Sequence, residues 1–166
     1  MTSDKSGDHE ALKNKGNEKF KAKRFTEALK YYSEAIGCKG DEAVAYSNRA
    51  ICLIHLKRYH EAVADCDKAI QLDPSSTKAY YRRATALREL FRYHNAIHDY
   101  KKVSELEPSF ALAAKESESI QQLLLKDHRL DVPIRDKPVE LRSKLPISTF
   151  ELRNQYVGSL QYRQES

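Results

Sequence analysis

The 166-residue chain has only five glycines and five prolines. That is few for a loop-rich sandwich, and it suits a helical domain better. Its three cysteines, Cys38, Cys52 and Cys66, are an odd set with no Cys-x-x-Cys and no short metal spacing. A disulfide framework and a zinc site are both disfavoured, and free thiols packed as small residues are expected. No apolar run approaches the roughly 20 residues that span a bilayer, and Met1 to Asp8 lacks the apolar core of a signal peptide. No membrane insertion and a cytoplasmic, or nuclear, location are therefore expected. Charge of one sign is not massed anywhere: 29 basic residues are interleaved with 24 acidic ones, so the net +5 is weak ground for nucleic-acid binding. Catalytic signatures are missing as well. There is no Gly-rich phosphate loop, His-Glu-x-x-His or Gly-x-Ser-x-Gly, and neither an enzyme nor a cofactor is expected. His94 and His98 stand four apart, but no carboxylate–cysteine set completes a metal site around them.

What the chain does have is a period. Residues Pro74 to Ala84 read as a proline stop followed by a new helix carrying Lys78 and Arg82 four positions apart, on one face. A 34-residue frame starting at His9, Ala43 and Thr77 aligns the chain with itself three times without a gap. Gly16, Ala50 and Ala84 are the small residues where paired helices approach, and Ala28, Ala62 and Ala96 do the same on the second helix. Phe25, Tyr59 and Tyr93 open those second helices. Tyr32, Cys66 and Tyr100 follow the alanines by four, on the same buried face.

Each repeat predicts an antiparallel helix pair: 10–22 with 25–37, 43–56 with 59–71, and 77–90 with 93–105. Asp41, Ser76 and Ser109 are the expected N-caps, and Pro74 and Pro108 end the helices before them. A seventh helix over 109–125, with Leu112, Ile120, Leu123 and Leu124 on or near one stripe, is expected to cap the open apolar end of the stack. Residues 1–8 are expected to be disordered and 127–166 to form an extended or disordered tail. Within that tail Val132, Ile134, Leu145, Ile147, Phe150, Leu152 and Tyr156 leave two readings, a mobile end or a segment that orders on a second adaptor protein.

The frame resembles the tetratricopeptide repeat, a 34-residue helix–turn–helix unit with a small residue early, Ala-x-x-x-aromatic in the second helix and a closing proline. Gly40 in place of the first closing proline, Cys66 in place of an aromatic and Val103 in place of a late alanine are mild departures. The resemblance implies an all-α fold: three helix pairs and a capping helix over about 9–125, wound as a right-handed superhelical solenoid and followed by the tail. In such a repeat the first helix lines a concave groove with frame positions 2, 5, 6 and 9, which here supply Lys13, Asn17, Asn48, Lys78 and Arg82.

Those five residues, in Leu12-Lys13-x-x-Gly16-Asn17, Tyr46-Ser47-Asn48-Arg49-Ala50 and Lys78-x-x-x-Arg82-Arg83-Ala84, match the carboxylate clamp of tetratricopeptide co-chaperones. The flanking residues are most similar to the group containing sperm-associated antigen 1, RNA polymerase II-associated protein 3 and the thirty-four-kilodalton mitochondrial import co-chaperone. The resemblance implies as partners heat-shock protein 90 and heat-shock protein 70, bound through their C-terminal Glu-Glu-Val-Asp tails. The chemistry agrees, because a chain ending in Asp offers two carboxylates that need cationic or amide donors once out of water. Phe20, Ile51 and Ile54 lie near the groove face, where cradling the peptide valine and plain packing are both open. Arg88, further along the third groove helix, is open to an upstream glutamate or to solvent. The alternative function is a scaffold of the same fold for another acidic chain end or protein surface.

Overall fold

The computed structural model describes residues 5–38 and 40–126. They form seven α-helices and no strand: α1 (Lys5–Lys21), α2 (Phe25–Cys38), α3 (Ala43–His55), α4 (Tyr59–Leu72), α5 (Thr77–Glu89), α6 (Tyr93–Leu106) and α7 (Ala111–Lys126). The chain divides into two compact units, 1–121 and 122–166. Only the end of α7 is described in the second, and everything below concerns the first. The sequence-based readings of 127–166, including the adaptor segment, lie outside the described residues.

Helices pair within each repeat, α1 with α2, α3 with α4 and α5 with α6, and the pairs stack on one another in chain order. Small residues allow the close approach: Ala28, Ala50, Ala62, Ala84 and Ala96 are fully buried, as are the aromatic or thiol side chains of Tyr32, Cys66 and Tyr100. Gly16 shows the constraint most directly. A Cβ there would come within 2.6 Å of Cε1 of the Tyr32 ring, inside any van der Waals contact, so α1 can lie on α2 only with glycine at that position.

The turn inside each repeat is three residues long and carries a left-handed residue at its centre: Lys23 (φ 58°), Lys57 (φ 59°) and Phe91 (φ 59°). The residue after each donates its N–H five residues back, Arg24 to Lys19 O at 2.9 Å, Arg58 to Leu53 O at 2.8 Å and Arg92 to Leu87 O at 2.9 Å. The motif that ends a helix at a left-handed residue normally takes glycine. Here lysine and phenylalanine hold it, which composition gave no reason to expect.

Several expectations need correction at helix ends. Helix α1 begins at Lys5, inside the stretch expected to be disordered, with Asp8 in its first turn beside the positive end of the helix dipole and His9 buried. The N-cap of α3 is Glu42 rather than Asp41, and Ser76 caps α5 by position without a side-chain bond. The Ser76 carbonyl accepts from Ala79 N and Tyr80 N instead, while Asp73 organises the turn by accepting from Ser75 N and Oγ. Ser109 stands outside α7, which opens at Ala111 after a turn closed by Phe110 N donating to Glu107 O. The buried stripe of α7 within this unit is Ala113, Ser117 and Ile120, and Leu112 is exposed. Seven residues nearly complete two helical turns, whereas the eight from Leu112 to Ile120 overshoot by about 80°.

Two ion pairs onto buried aspartates, at the same frame positions in repeats two and three, stitch the helices together. Arg49 Nε and Nη2 reach Asp65 Oδ2 and Oδ1 at 2.7 and 2.6 Å, and Arg83 Nε and Nη2 reach Asp99 Oδ2 and Oδ1 at 2.7 and 2.8 Å. Each arginine also bonds back to the preceding repeat, Arg49 to Ser33 Oγ and Arg83 to Asp67 Oδ1, and lies over a tyrosine ring of its own helix, Tyr46 or Tyr80. Hydrogen bonding to Asp65 and to Asp99 holds both guanidinium groups above their ordinary range.

Candidate functional site: the face of the three first helices

Helices α1, α3 and α5 carry the five expected donors, and three of those residues form one hydrogen-bonded row. Arg82 Nη1 on α5 donates to Asn48 Oδ1 on α3 at 3.2 Å, and Asn48 Nδ2 donates to Asn17 Oδ1 on α1 at 3.4 Å. Asn17 Oδ1 also accepts the Tyr32 hydroxyl at 2.7 Å. Burial pushes the Tyr32 phenol up to about 12, so it keeps its proton and acts as a donor. The consequence for the two amides is directional. Both carbonyl oxygens are occupied from inside the protein, and the Asn17 NH2 has no partner among the described residues, so the row offers N–H groups and positive charge to a ligand.

Arg82 is partly buried rather than fully exposed. Its bonds go to neutral oxygens, Ser47 Oγ at 2.7 Å and Asn48 Oδ1, and no carboxylate pairs with it among the described residues. Burial lowers its guanidinium from the ordinary value, although arginine stays charged. A charge taken out of water with only dipoles around it is poised for an anion. Lys78, one turn earlier on α5, is exposed and likewise has no partner among the described residues.

Lys13 differs from the other donors. Its Nζ lies 2.6 Å from Glu10 Oε2 and 2.9 Å from Glu42 Oε1. Burial opposes its charge, but hydrogen bonds with Glu10 and Glu42 outweigh that and hold the ammonium above its usual value. The four pocket residues expected around the clamp are also engaged. Phe20 packs on the Ala28, Tyr32 and Cys52 cluster and against the rings of Phe25 and His55. Ile54 packs on Leu53, Ala62 and Ala86, and Ile51 is half-buried. Arg88 is paired with Glu116 of α7 at 2.5 Å and with Glu89 at 3.2 Å.

Sequence reasoning missed three residues here. Ser47 occupies frame position 5, one of the four groove positions, so its role was within reach. Tyr32 reads only as a core aromatic, and its hydroxyl contact follows from the α1–α2 packing. Glu42 directly follows the expected N-cap Asp41, and nothing local points to Lys13, 29 positions away.

Models of the tetratricopeptide repeat match residues 43–76 and 77–110, the second and third units of the frame. Among solved structures, the first such domain of Spaghetti (RPAP3), bound to the HSP90 peptide SRMEEVD, superposes with a TM-score of 0.71 and 37% identity, over 72% of this chain and 95% of that one. The chain belongs to the tetratricopeptide repeat family. The second repeat domain of human RPAP3, in complex with the HSP70 peptide SGPTIEEVD, is similar at a TM-score of 0.68 and 33% identity, over 70% of this chain and 98% of that one. Stress-induced-phosphoprotein 1 of Caenorhabditis elegans is 48% identical over 44 residues, which are 26% of this chain and 14% of the worm protein. As a member of the family, the chain carries a protein-interaction fold similar to those of co-chaperones.

Proposed function

We propose that the groove binds the free C-terminal tail of heat-shock protein 90 or heat-shock protein 70, with Lys78 and Arg82 as the principal cations, Asn17 and Asn48 as amide donors and Lys13 completing the clamp. The observation that carries this is Arg82: partly buried, positively charged, fixed by Ser47 and Asn48, and without a carboxylate among the described residues. A C-terminal aspartate supplies two carboxylates to that charge and to the unpaired N–H groups beside it. Support comes from the two similar domains solved with peptides ending in EEVD. A charge-assisted hydrogen bond contributes about 1.5–3 kcal/mol, so a few of them reach micromolar affinity, about −8 kcal/mol. A cytosolic setting belongs to the same proposal, and the adaptor role of residues 127–166 adds to it from the sequence alone.

Calorimetric titration with a peptide ending in Glu-Glu-Val-Asp, as free acid and as C-terminal amide, tests it. The free acid should bind at micromolar Kd and the amide at least about tenfold more weakly. Equal affinity for the two would give the groove to acidic segments in general, the scaffold alternative.

A further inference from the structure

One of the three clamp cations already has anions of its own. Glu42, at the N-cap of α3, places Oε1 2.9 Å from Lys13 Nζ, and Glu10 places Oε2 2.6 Å from the same nitrogen. The Lys13 and Glu42 side chains are only 15% and 21% exposed, so water screens this contact little. The other Glu42 oxygen lies against His9 Nε2, and both atoms are buried. His9 Nδ1 in turn donates to the Ala35 carbonyl of α2 at 2.9 Å. Glu42 thus sits between the Lys13 ammonium and the buried His9 ring, both on α1. His9, Glu10 and Glu42 also bring three potential metal ligands within 4.8 Å of one another, but the Lys13 ammonium already fills that cluster as its cation.

Two carboxylates already offset the Lys13 ammonium, Glu42 from a largely buried position and Glu10 from a more exposed one. A third, arriving on a peptide, meets repulsion at Lys13 where it meets only attraction at Lys78 and Arg82. We propose that Glu42 is a resident competitor in the clamp, holding Lys13 so that an arriving chain end must displace or share it, which weakens binding relative to an unopposed lysine. This rests on the groove reading above. It assigns to Glu42 an affinity-setting role within that groove. Arg88, held by Glu116 at 2.5 Å, shows a second groove-helix cation treated in the same way.

The test is calorimetry on the full chain with the free-acid peptide ending in Glu-Glu-Val-Asp. Glu42→Gln keeps the shape and a hydrogen bond but removes the charge, and it should tighten binding by about three- to tenfold, with circular dichroism unchanged. In a Lys13→Gln background the same substitution should gain nothing, because the competition has no object left. Should Glu42→Gln fail to fold, exposed Glu10→Gln replaces it, with a smaller gain expected. Weaker binding in Glu42→Gln would make Glu42 a support that positions Lys13, and unchanged binding would make it irrelevant to the groove; either result overturns the inference while leaving the groove reading intact. If the unsubstituted chain binds neither peptide form, the groove reading itself falls and this inference with it.

Discussion

Arg82 and Arg83 are neighbours on α5, yet they belong to opposite kinds of site. Arg83 turns into the seam between repeats, where Asp99, only 2% exposed, and the more open Asp67 both pair with it. Arg82 turns toward the first helices, where Ser47 and Asn48 give it orientation but no countercharge. The seam is electrostatically complete and serves the stack. The face of the first helices is left one anion short among the described residues, which is what the proposed chain end would supply. What separates the two is the partner that the neighbouring helix presents, since residue type and helix are the same.

The contrast predicts opposite outcomes for substitutions on the two sides. Asp99→Ala breaks a buried pair and leaves a guanidinium in the seam with only Asp67. A loss of about 3 kcal/mol is expected, the low end of the usual 3–5 because Arg83 retains that second partner. Urea denaturation measures it, and a loss below about 1 kcal/mol would show that the seam does not hold the stack together. Peptide affinity should be little changed in the folded fraction.

Arg82→Ala should behave the other way round. It removes a partly buried charge that has no ionic partner among the described residues, so stability should stay within about 1 kcal/mol of the parent. Affinity for the free-acid peptide should fall more than about tenfold, since one charge-assisted hydrogen bond contributes about 1.5–3 kcal/mol. Calorimetry and thermal melting together decide the matter. A large loss of stability with binding retained would place Arg82 with Arg83 and erase the distinction.

The smallest expected effect sharpens the groove side. Tyr32→Phe keeps the ring that packs against Gly16 and deletes only the hydroxyl that fixes Asn17. With one of its two donors gone, the Asn17 oxygen is free to rotate toward the ligand, where it repels a carboxylate. A two- to tenfold loss of affinity, about 0.5–1.5 kcal/mol, is expected with little change in fold. A narrower gap between free acid and amide would support that reading, whereas an unchanged free-acid Kd would show that Asn48 alone orients Asn17.

Much of this was legible before any coordinates. The 34-residue frame located the first six helices, with most boundaries within one residue, because small and aromatic residues recur at fixed positions and packing in a repeat stack is decided by near neighbours. The same frame put Lys13, Asn17, Asn48, Lys78 and Arg82 on the first helices. Caps were read less well. Ser76 has the right residue at the right position, but backbone carbonyls and Asp73 satisfy that turn, and a polar residue's side-chain partner is not encoded in its spacing. Lys23, Lys57 and Phe91 in left-handed turns were invisible for a related reason: stacking fixes the turn length, and ordinary residues accept the strain.

The sequence by itself determined the repeat, the order of helices and which face of each carries the donors, since helical periodicity follows from local spacing alone. Only the tertiary structure decided how those donors are used. Arg82 faces Ser47 and Asn48, Arg83 faces Asp67 and Asp99, and Lys13 is held by Glu42. These partners lie 16 to 35 residues apart in the chain, and each is brought into reach by helices packing at contact distance. Charge alone does not distinguish a paired arginine from an unpaired one, and burial beside a particular neighbour does.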